Sequence, residues 1–299
     1  MDAAAAEDAA LLFEKICRAR HCTALTGAGV STFSGLPDFR GREGLYGGVD
    51  AELDAFVKEE PDFPAALVPA FRSFFAELAG ANAGTGPSPE RLFDIDYFER
   101  DPAFFYKTAA SLIYAEREPS LVHKTLAALE DRGCLKAVIT QNIDGLHQKA
   151  GSRRVIEVHG SPRIHYCLRC AGIRMDFAEA AALVRAGDMP RCPRCGRVLK
   201  PGITFFGERL PMEAVRAAEA EAWEADLMLI LGTTLGVSPA ADIPRTTLRR
   251  GGELVIVNNM ATPLDAAAVL RFGDLGRVFA GLRSLLSAAP APDDSRAPV

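Results

Sequence analysis

CTALTGAGVSTFSGLPDFRG, residues 22–41, decides how this chain folds. An apolar run closes at Thr26 and turns through Gly27-Ala28-Gly29, the strand-to-turn pattern that opens a nucleotide-binding α/β unit. A dehydrogenase fingerprint has Gly or Ala three residues after the second glycine; Thr32 stands there instead. The chain then runs into Pro37-Asp38-Phe39-Arg40, a continuation that a dinucleotide turn does not need. The stretch therefore reads as a phosphate-binding turn with a second loop joined to its end.

Outward from this turn, short apolar strands alternate with helical periods. Strands are expected at Cys22 to Thr26, Leu135 to Thr140, Val155 to Val158, Leu227 to Leu231, Leu254 to Val257 and Val269 to Phe272, with helices such as Leu121 to Asp131 and Pro211 to Glu224 between them. Runs such as LMLIL and LVIV are apolar on both faces, which fits strands buried on both sides of a parallel sheet. The fold class is α/β, a doubly wound Rossmann-like parallel sheet whose ligands bind at the carboxyl ends of the strands.

Two stretches break the alternation and are expected to form a smaller lobe. Residues 46–119 make a helical module rich in Phe and Tyr, and residues 160–204 carry two cysteine pairs. The large domain then comprises residues 1–45, 120–159 and 205–288, and the Pro/Ala/Asp-rich tail 289–299 is expected to be disordered.

Hydrophobic residues make up 48% and charged residues 24% of the 299, an ordinary globular balance. The net charge of −5 leaves no basic footprint for nucleic acid. The opening MDAAAAEDAALLFEKI lacks the positive start and apolar core of a secretory signal, and no apolar stretch approaches the ~20 residues that span a bilayer. A cytoplasmic protein is expected, with no membrane partner; nothing in the residues sets an oligomeric state.

Of seven cysteines, Cys167-x2-Cys170 and Cys192-x2-Cys195 stand 21 residues apart in knuckle-like CLRC and CPRCG turns. Four thiolates saturate tetrahedral zinc and leave no position for water, so one structural Zn2+ holding a zinc ribbon together is expected, with no catalytic role.

The strand ends supply the other chemistry. Gln141, Asn142 and Asp144 follow one strand, His159 the next, Gly232-Thr233-Thr234 a third, and Asn258-Asn259 a fourth. Asn142 and Asp144 read equally well as caps of a following helix. His159 has the imidazole of a general base, whereas His21, His123, His147 and His165 close no apolar strand and are weaker candidates. Polar residues ending successive strands at one sheet edge point to an active-site rim.

The ordered set GAGVS, GLPDFRG, TQNIDGLH, EVHGS, the two C-x-x-C pairs, KPGITFFGE, GTTLGVSP and IVNN resembles the sirtuins, the NAD-dependent protein lysine deacylases, from about residue 10 to 287. The resemblance implies NAD as co-substrate, with Gly27, Ala28, Gly29 and Ser31 along its phosphates. Asp38, Phe39 and Arg40 would belong to a closing cofactor loop, and Gln141, Asn142, Ile143 and Asp144 would lie about the nicotinamide and its ribose. Gly232, Thr233, Asn258 and the backbone near Leu275 would hold the adenosine half. His159 would be the catalytic base, assisted by Asn142 and Asp144, and the products would be nicotinamide, O-acyl-ADP-ribose and free lysine. An acyl-lysine peptide would be added as a strand along Ile203, Phe205, Phe206, Gly207 and Glu208 and along Leu235 and Val237.

Sirtuins that favour succinyl or malonyl lysine carry a Tyr-x-x-Arg pair. The matching stretch here reads Tyr106-Lys107-Thr108-Ala109, so Tyr106 would line the acyl site without an arginine, and neutral acyl groups are expected. Chain length would depend on packing among Phe71, Phe74, Phe75, Tyr106 and Ile113. Three other readings stand beside deacylation: a sirtuin-like ADP-ribosyltransferase or NAD hydrolase, an NAD-regulated zinc-ribbon scaffold, and a dehydrogenase, which the missing third glycine disfavours.

Overall fold

The structure is a computed structural model that describes residues 3–36, 38 and 92–288. Pro37, Phe39, Arg40, Phe71, Phe74, Phe75 and the 289–299 tail lie outside the described residues. In chain order the strands are β1 (Cys22–Thr26), β2 (Ala137–Thr140), β3 (Val155–Glu157), β4 (Gly160–Tyr166), β5 (Arg174–Asp176), β6 (Lys200–Ile203), β7 (Leu227–Leu231), β8 (Glu253–Val257) and β9 (Leu270–Phe272). The helices are α1 (Ala3–Arg18), α2 (Ile95–Arg100), α3 (Pro102–Ile113), α4 (Leu121–Asp131), α5 (Leu146–Lys149), α6 (Phe177–Arg185), α7 (Met212–Glu224), α8 (Ile243–Arg249) and α9 (Leu275–Ala288). Two compact units result, one of Met1–Ser34, Glu118–Val158 and Glu213–Val299, the other of Gly35–Arg117 and His159–Met212.

The first unit holds a six-stranded parallel sheet in the order β3-β2-β1-β7-β8-β9. Chain order reverses direction between β1 and β7, the switch point at which a doubly wound sheet takes its ligand. Alternation along LMLIL explains why both faces are covered. Leu227, Leu229 and Leu231 pack with Leu12 and Ile16 of α1, Leu126 of α4 and Phe279 of α9. Met228 and Ile230 face the other way, onto Ala218 and Ala222 of α7 and Ile243 of α8. Each such buried aliphatic side chain contributes roughly 1.5–3 kcal/mol by leaving water. The registers Thr26↔Thr140 and Thr26↔Leu231 bring the carboxyl ends of β1, β2 and β7 level.

The second unit has an antiparallel sheet, β5-β4-β6, and the helices α2, α3 and α6. The strands of this ribbon and α6, which Asp176 caps by accepting the Glu179 N–H at 2.9 Å, escaped the strand-and-helix alternation of the sequence. The chain stays in this unit to Met212, past the boundary at residue 204 expected from the cysteines. The reason is aromatic packing: Phe205 sets its ring edge-on to Phe93 and Phe98 and packs beside Phe105. Among the described residues, no helix is long and apolar enough to cross a membrane.

Candidate active site

The Gly27-Ala28-Gly29 turn packs directly on the Gly232-Thr233 turn across the β1/β7 switch point. Gly27 donates its N–H to the Leu231 carbonyl at 3.0 Å, and Gly29 donates to the Gly232 carbonyl at 2.9 Å. A Cβ on Gly27 would meet Thr233 Cβ at 2.6 Å, and one on Gly29 would meet Gly232 Cα at 2.8 Å. Gly232 itself has φ +58 and would drive a Cβ to 2.7 Å from the Gly29 carbonyl carbon. Only glycine fits these three positions. Val30 and Ser31 donate their N–H groups to Gly27 and Ala28. The amides of Gly27, Gly29, Val30 and Ser31 are thus already donated within the protein, and the glycines contribute close backbone approach rather than N–H donors.

The side chains after β2 form a network over this turn. Asn142 donates from Nδ2 to the Gly27 carbonyl and to Ser31 Oγ, both at 3.1 Å. Ser31 Oγ donates to Asp144 Oδ2 at 2.7 Å, while Asp144 Oδ1 accepts the Leu146 N–H at 2.9 Å. Asp144 thus closes a turn onto the first residue of α5, whose N-cap is Gly145, and is not a side-chain cap of that helix. With both its N–H bonds committed, Asn142 has its Oδ1 left as an acceptor. Gln141 donates from Nε2 to Thr233 Oγ1 at 3.2 Å, which also accepts the Leu235 N–H at 3.2 Å. Gln141, Asn142, Ile143 and Asp144 are all half-buried, open on one side. The acceptors left at Asn142 and Asp144 match groups that donate: a carboxamide NH2 and ribose hydroxyls. The donor and acceptor set therefore fits the nicotinamide riboside half of NAD.

Further along the rim, Asn258 at the end of β8 is buried, and its Nδ2 donates to the Met260 carbonyl at 2.9 Å. Leu275 opens α9 with its side chain in the core, so its backbone is the part left for a ligand. His159 follows β3 in the chain and is half-buried; its carbonyl accepts the Thr204 N–H at 2.8 Å. Asp38 is half-buried.

In the second unit the Sγ atoms of Cys167, Cys170, Cys192 and Cys195 lie within 4.8 Å of one another, with Cys167 and Cys195 at 3.6 Å. Sulfurs about 2.3 Å from a tetrahedral zinc stand about 3.8 Å apart, so the four thiols fit one Zn2+. The first knuckle is closed by paired bonds between Cys167 and Ile173 and between Ile173 and Cys170, and the second by Cys192 N–H to the Arg197 carbonyl at 2.8 Å.

The expected peptide edge is narrower than its sequence suggests. Ile203 and Phe205 are buried, and the N–H groups of Thr204, Phe205, Phe206 and Glu208 are all donated within the unit. Phe206 bridges to Asp94, donating to the Phe93 carbonyl and accepting the Ile95 N–H, with its own ring 45% exposed. Glu208 Oε2 accepts the Phe205 N–H at 2.8 Å and pairs with Lys200 Nζ at 2.8 Å. Lys200 is wholly buried, donates to the Ile203 carbonyl at 2.6 Å and lies 4.1 Å from the Phe205 ring centroid. It is a residue the sequence reading missed, although a lysine opening an apolar KPGITFF run was a signal. Glu208 is thus a shaping residue rather than a free substrate contact. Tyr106 is 2% exposed, and its hydroxyl donates to the Leu199 carbonyl at 2.6 Å. Surrounded by Phe98, Phe105 and Tyr114, it belongs to the aromatic core. Of the remaining candidates, Leu235 is buried and Val237 half-buried.

A model of the Sir2 family matches residues 65–239. The NAD-dependent protein deacetylase of Thermotoga maritima is 38% identical over 250 residues, 83% of this chain and 85% of that protein. The NAD-dependent protein deacylase of Thermococcus kodakarensis is 39% identical over 249 residues, 81% of each chain. A solved Sir2 complex with a deacetylated p53 peptide and 3′-O-acetyl ADP ribose aligns with a TM-score of 0.73 at 35% identity, covering 94% of this chain and 98% of that one. With the reversed strand order, the glycine-packed switch point and the four-cysteine ribbon, these matches identify the chain as a member of the Sir2 family, the sirtuins.

Proposed function

We propose that this protein is an NAD-dependent protein-lysine deacylase that consumes NAD and releases nicotinamide, O-acyl-ADP-ribose and free lysine. The observation that carries the reading is the Asn142–Ser31–Asp144 network at the β1/β7 switch point. It leaves acceptors for a ribose and a carboxamide, which a sirtuin's chemistry requires. The family's relatives named above are deacetylases and deacylases, which supports the same reaction class.

Bound NAD supplies an electrophilic ribose carbon with nicotinamide as its leaving group, so the acyl group ends on ADP-ribose. Asn142 and Asp144 orient the ribose and the carboxamide. Gln141 and Thr233 brace each other beside them, and Ile143 gives the nicotinamide an apolar wall. Gly232, Thr233, Asn258 and the Leu275 backbone hold the adenosine half. His159 takes the proton from a ribose hydroxyl. Asp38, Phe39 and Arg40 exclude water from the reacting carbon, which otherwise diverts NAD to hydrolysis. The exposed Phe206 ring and Gly207 are substrate contacts, as are Leu235 and Val237.

Neutral acyl groups are preferred, because Ala109 stands where an arginine would be needed and is buried. An acyl carboxylate left without a bidentate partner in a dry pocket is costly. The cysteines hold one structural Zn2+, and their reduced pairing favours the cytoplasm. The test is a panel of acetyl, propionyl and succinyl peptides with and without NAD, read by mass spectrometry. Loss of the neutral acyl groups only in the presence of NAD is expected; deacylation without NAD, or none at all, overturns the proposal.

A further inference from the structure

Beneath the Asn142 network lies a buried chain of polar groups that the deacylation chemistry does not use. Thr26 Oγ1, at the end of β1, donates to Thr140 Oγ1 at the end of β2 at 2.9 Å. Thr140 Oγ1 in turn accepts the backbone N–H of Asn142 at 3.1 Å. Since the Thr26 proton is used in that bond, the contact of 2.9 Å between Thr26 Oγ1 and His147 Nε2 needs its proton from the ring. His147 therefore carries hydrogen on Nε2 and a bare lone pair on Nδ1.

A second histidine meets it edge to face. The rings of His123 and His147 have centroids 4.5 Å apart at 60°. The backbone N–H of Ser120 can only donate, and it reaches His123 Nδ1 at 3.2 Å, so the proton of His123 sits on Nε2. The Ser120 hydroxyl lies 2.7 Å from the same Nδ1 and 2.9 Å from the Val30 carbonyl, which belongs to the turn after β1. His123 Nε2–H and His147 Nδ1 are the two ring atoms left over, one a donor and one an acceptor, and both are buried without a hydrogen-bond partner. The two rings are 0% and 1% exposed.

A capping role alone accounts for half of this. His123 closes the capping box at the start of α4 through Nδ1, but that leaves its Nε2 and the whole of His147 unexplained. Resting on the NAD-dependent reading above, we propose that His123 and His147 act as a neutral positioning pair. Through the Thr26–Thr140 hydroxyls and Ser120, they hold the Asn142 backbone and the Val30 turn in place for the nicotinamide half of NAD. Neither ring touches substrate. Burial keeps both rings neutral, pushing His123 down to about 4 and His147 well below its ordinary value; Asp144 is the acidic group that acts on His123. A second proton on either ring would turn an acceptor nitrogen into a donor facing another donor.

The test measures KM for NAD, KM for an acetyl peptide and kcat in wild type, His147→Phe, His147→Gln and Thr26→Val. His147→Phe fills the space but gives Thr26 no proton. His147→Gln restores an N–H, and Thr26→Val removes the hydroxyl at nearly constant volume. A KM for NAD raised about tenfold in His147→Phe and Thr26→Val, largely recovered in His147→Gln, with peptide KM changed less than about twofold, is the expected pattern. A folded Thr26→Val with wild-type KM for NAD and kcat overturns the pair's role, whether or not His147→Phe folds. So does His147→Gln falling as far as His147→Phe, since packing alone then explains both. Calorimetric binding of NAD to wild type and Thr26→Val separates the two claims. Wild type that binds NAD without deacylating refutes the proposed reaction but leaves the positioning pair to be judged on the binding constants, and wild type that binds no NAD refutes both.

Discussion

Ser31 Oγ donates to Asp144 Oδ2 at 2.7 Å while accepting from Asn142 Nδ2 at 3.1 Å, so one hydroxyl ties the turn after β1 to both polar residues after β2. Replacing it with alanine leaves Asn142 with an unpaired N–H and Asp144 with a freed oxygen. We predict that Ser31→Ala lowers kcat/KM for NAD by about 10- to 100-fold, the cost of losing a charge-assisted hydrogen bond at a site that must be preorganised. Melting temperature should move little, because Asn142 and Asp144 both keep their bonds to backbone groups. Initial rates at varied NAD, with a thermal melt alongside, decide it.

The Lys200–Glu208 pair makes a different prediction. Removing one partner of a buried ion pair strands the other, at a cost of about 3–5 kcal/mol. Glu208→Ala should therefore destabilise the second unit severely, and Lys200→Met combined with Glu208→Gln should recover part of the loss. Denaturant unfolding of Lys200→Met, Glu208→Gln and the variant carrying both measures the coupling. Additive losses would show that the carboxylate does not anchor Lys200.

Acid should weaken the fold through its buried histidines. Burial pushes His123 and His165 each down to about 4, the latter aided by Lys200, and holds His147 well below its ordinary value. The unfolded chain protonates these rings near 6.5, so it binds more protons than the native state as pH falls from about 6.5 toward 4. Stability present above pH 6.5 is lost through that window, by about 1.4 kcal/mol per pH unit for each ring. His123→Gln keeps a capping-box residue but removes one titration, so its stability should fall less steeply between pH 6.5 and 5. Identical slopes would show that His123 does not titrate differently in the two states.

Zinc removal tests the ribbon. Chelation should melt the second unit, whose cysteine turns pack, among the described residues, with Leu199, Ile173 and Met175, and should leave the six-stranded sheet folded. Hydrogen exchange read separately over β4–β6 and β7–β8 distinguishes the two. An unchanged exchange pattern in β4–β6 with metal shown to be absent counts against a structural zinc.

The parallel sheet was legible because its central strands are buried on both faces and read as apolar runs; LMLIL and CTALT emerge as β7 and β1 residue for residue. The ribbon strands were not legible, because β4 is largely half-exposed or exposed, β5 has only three residues, and both carry arginines, with no apolar period to read. At the site, Gly27, Gly29 and Gly232 announce themselves since only glycine permits that backbone approach. His123 and His147 could not be singled out: α4 and α5 bring them together from 24 residues apart, and neither ends a strand. Tyr106 shows the same dependence on packing. The sequence shows which residue type stands at a motif position, but only packing shows that its hydroxyl goes to Leu199.

In the proposed reaction, NAD is broken in step with the acyl transfer. The most direct measurement of that coupling is the stoichiometry of nicotinamide, O-acyl-ADP-ribose and deacylated peptide in one time course with an acetyl-lysine peptide. Equal amounts of all three, with His159→Ala folded but inactive, are the expected result. Nicotinamide released without deacylated peptide, or ADP-ribose attached to protein in place of O-acyl-ADP-ribose, would contradict the account.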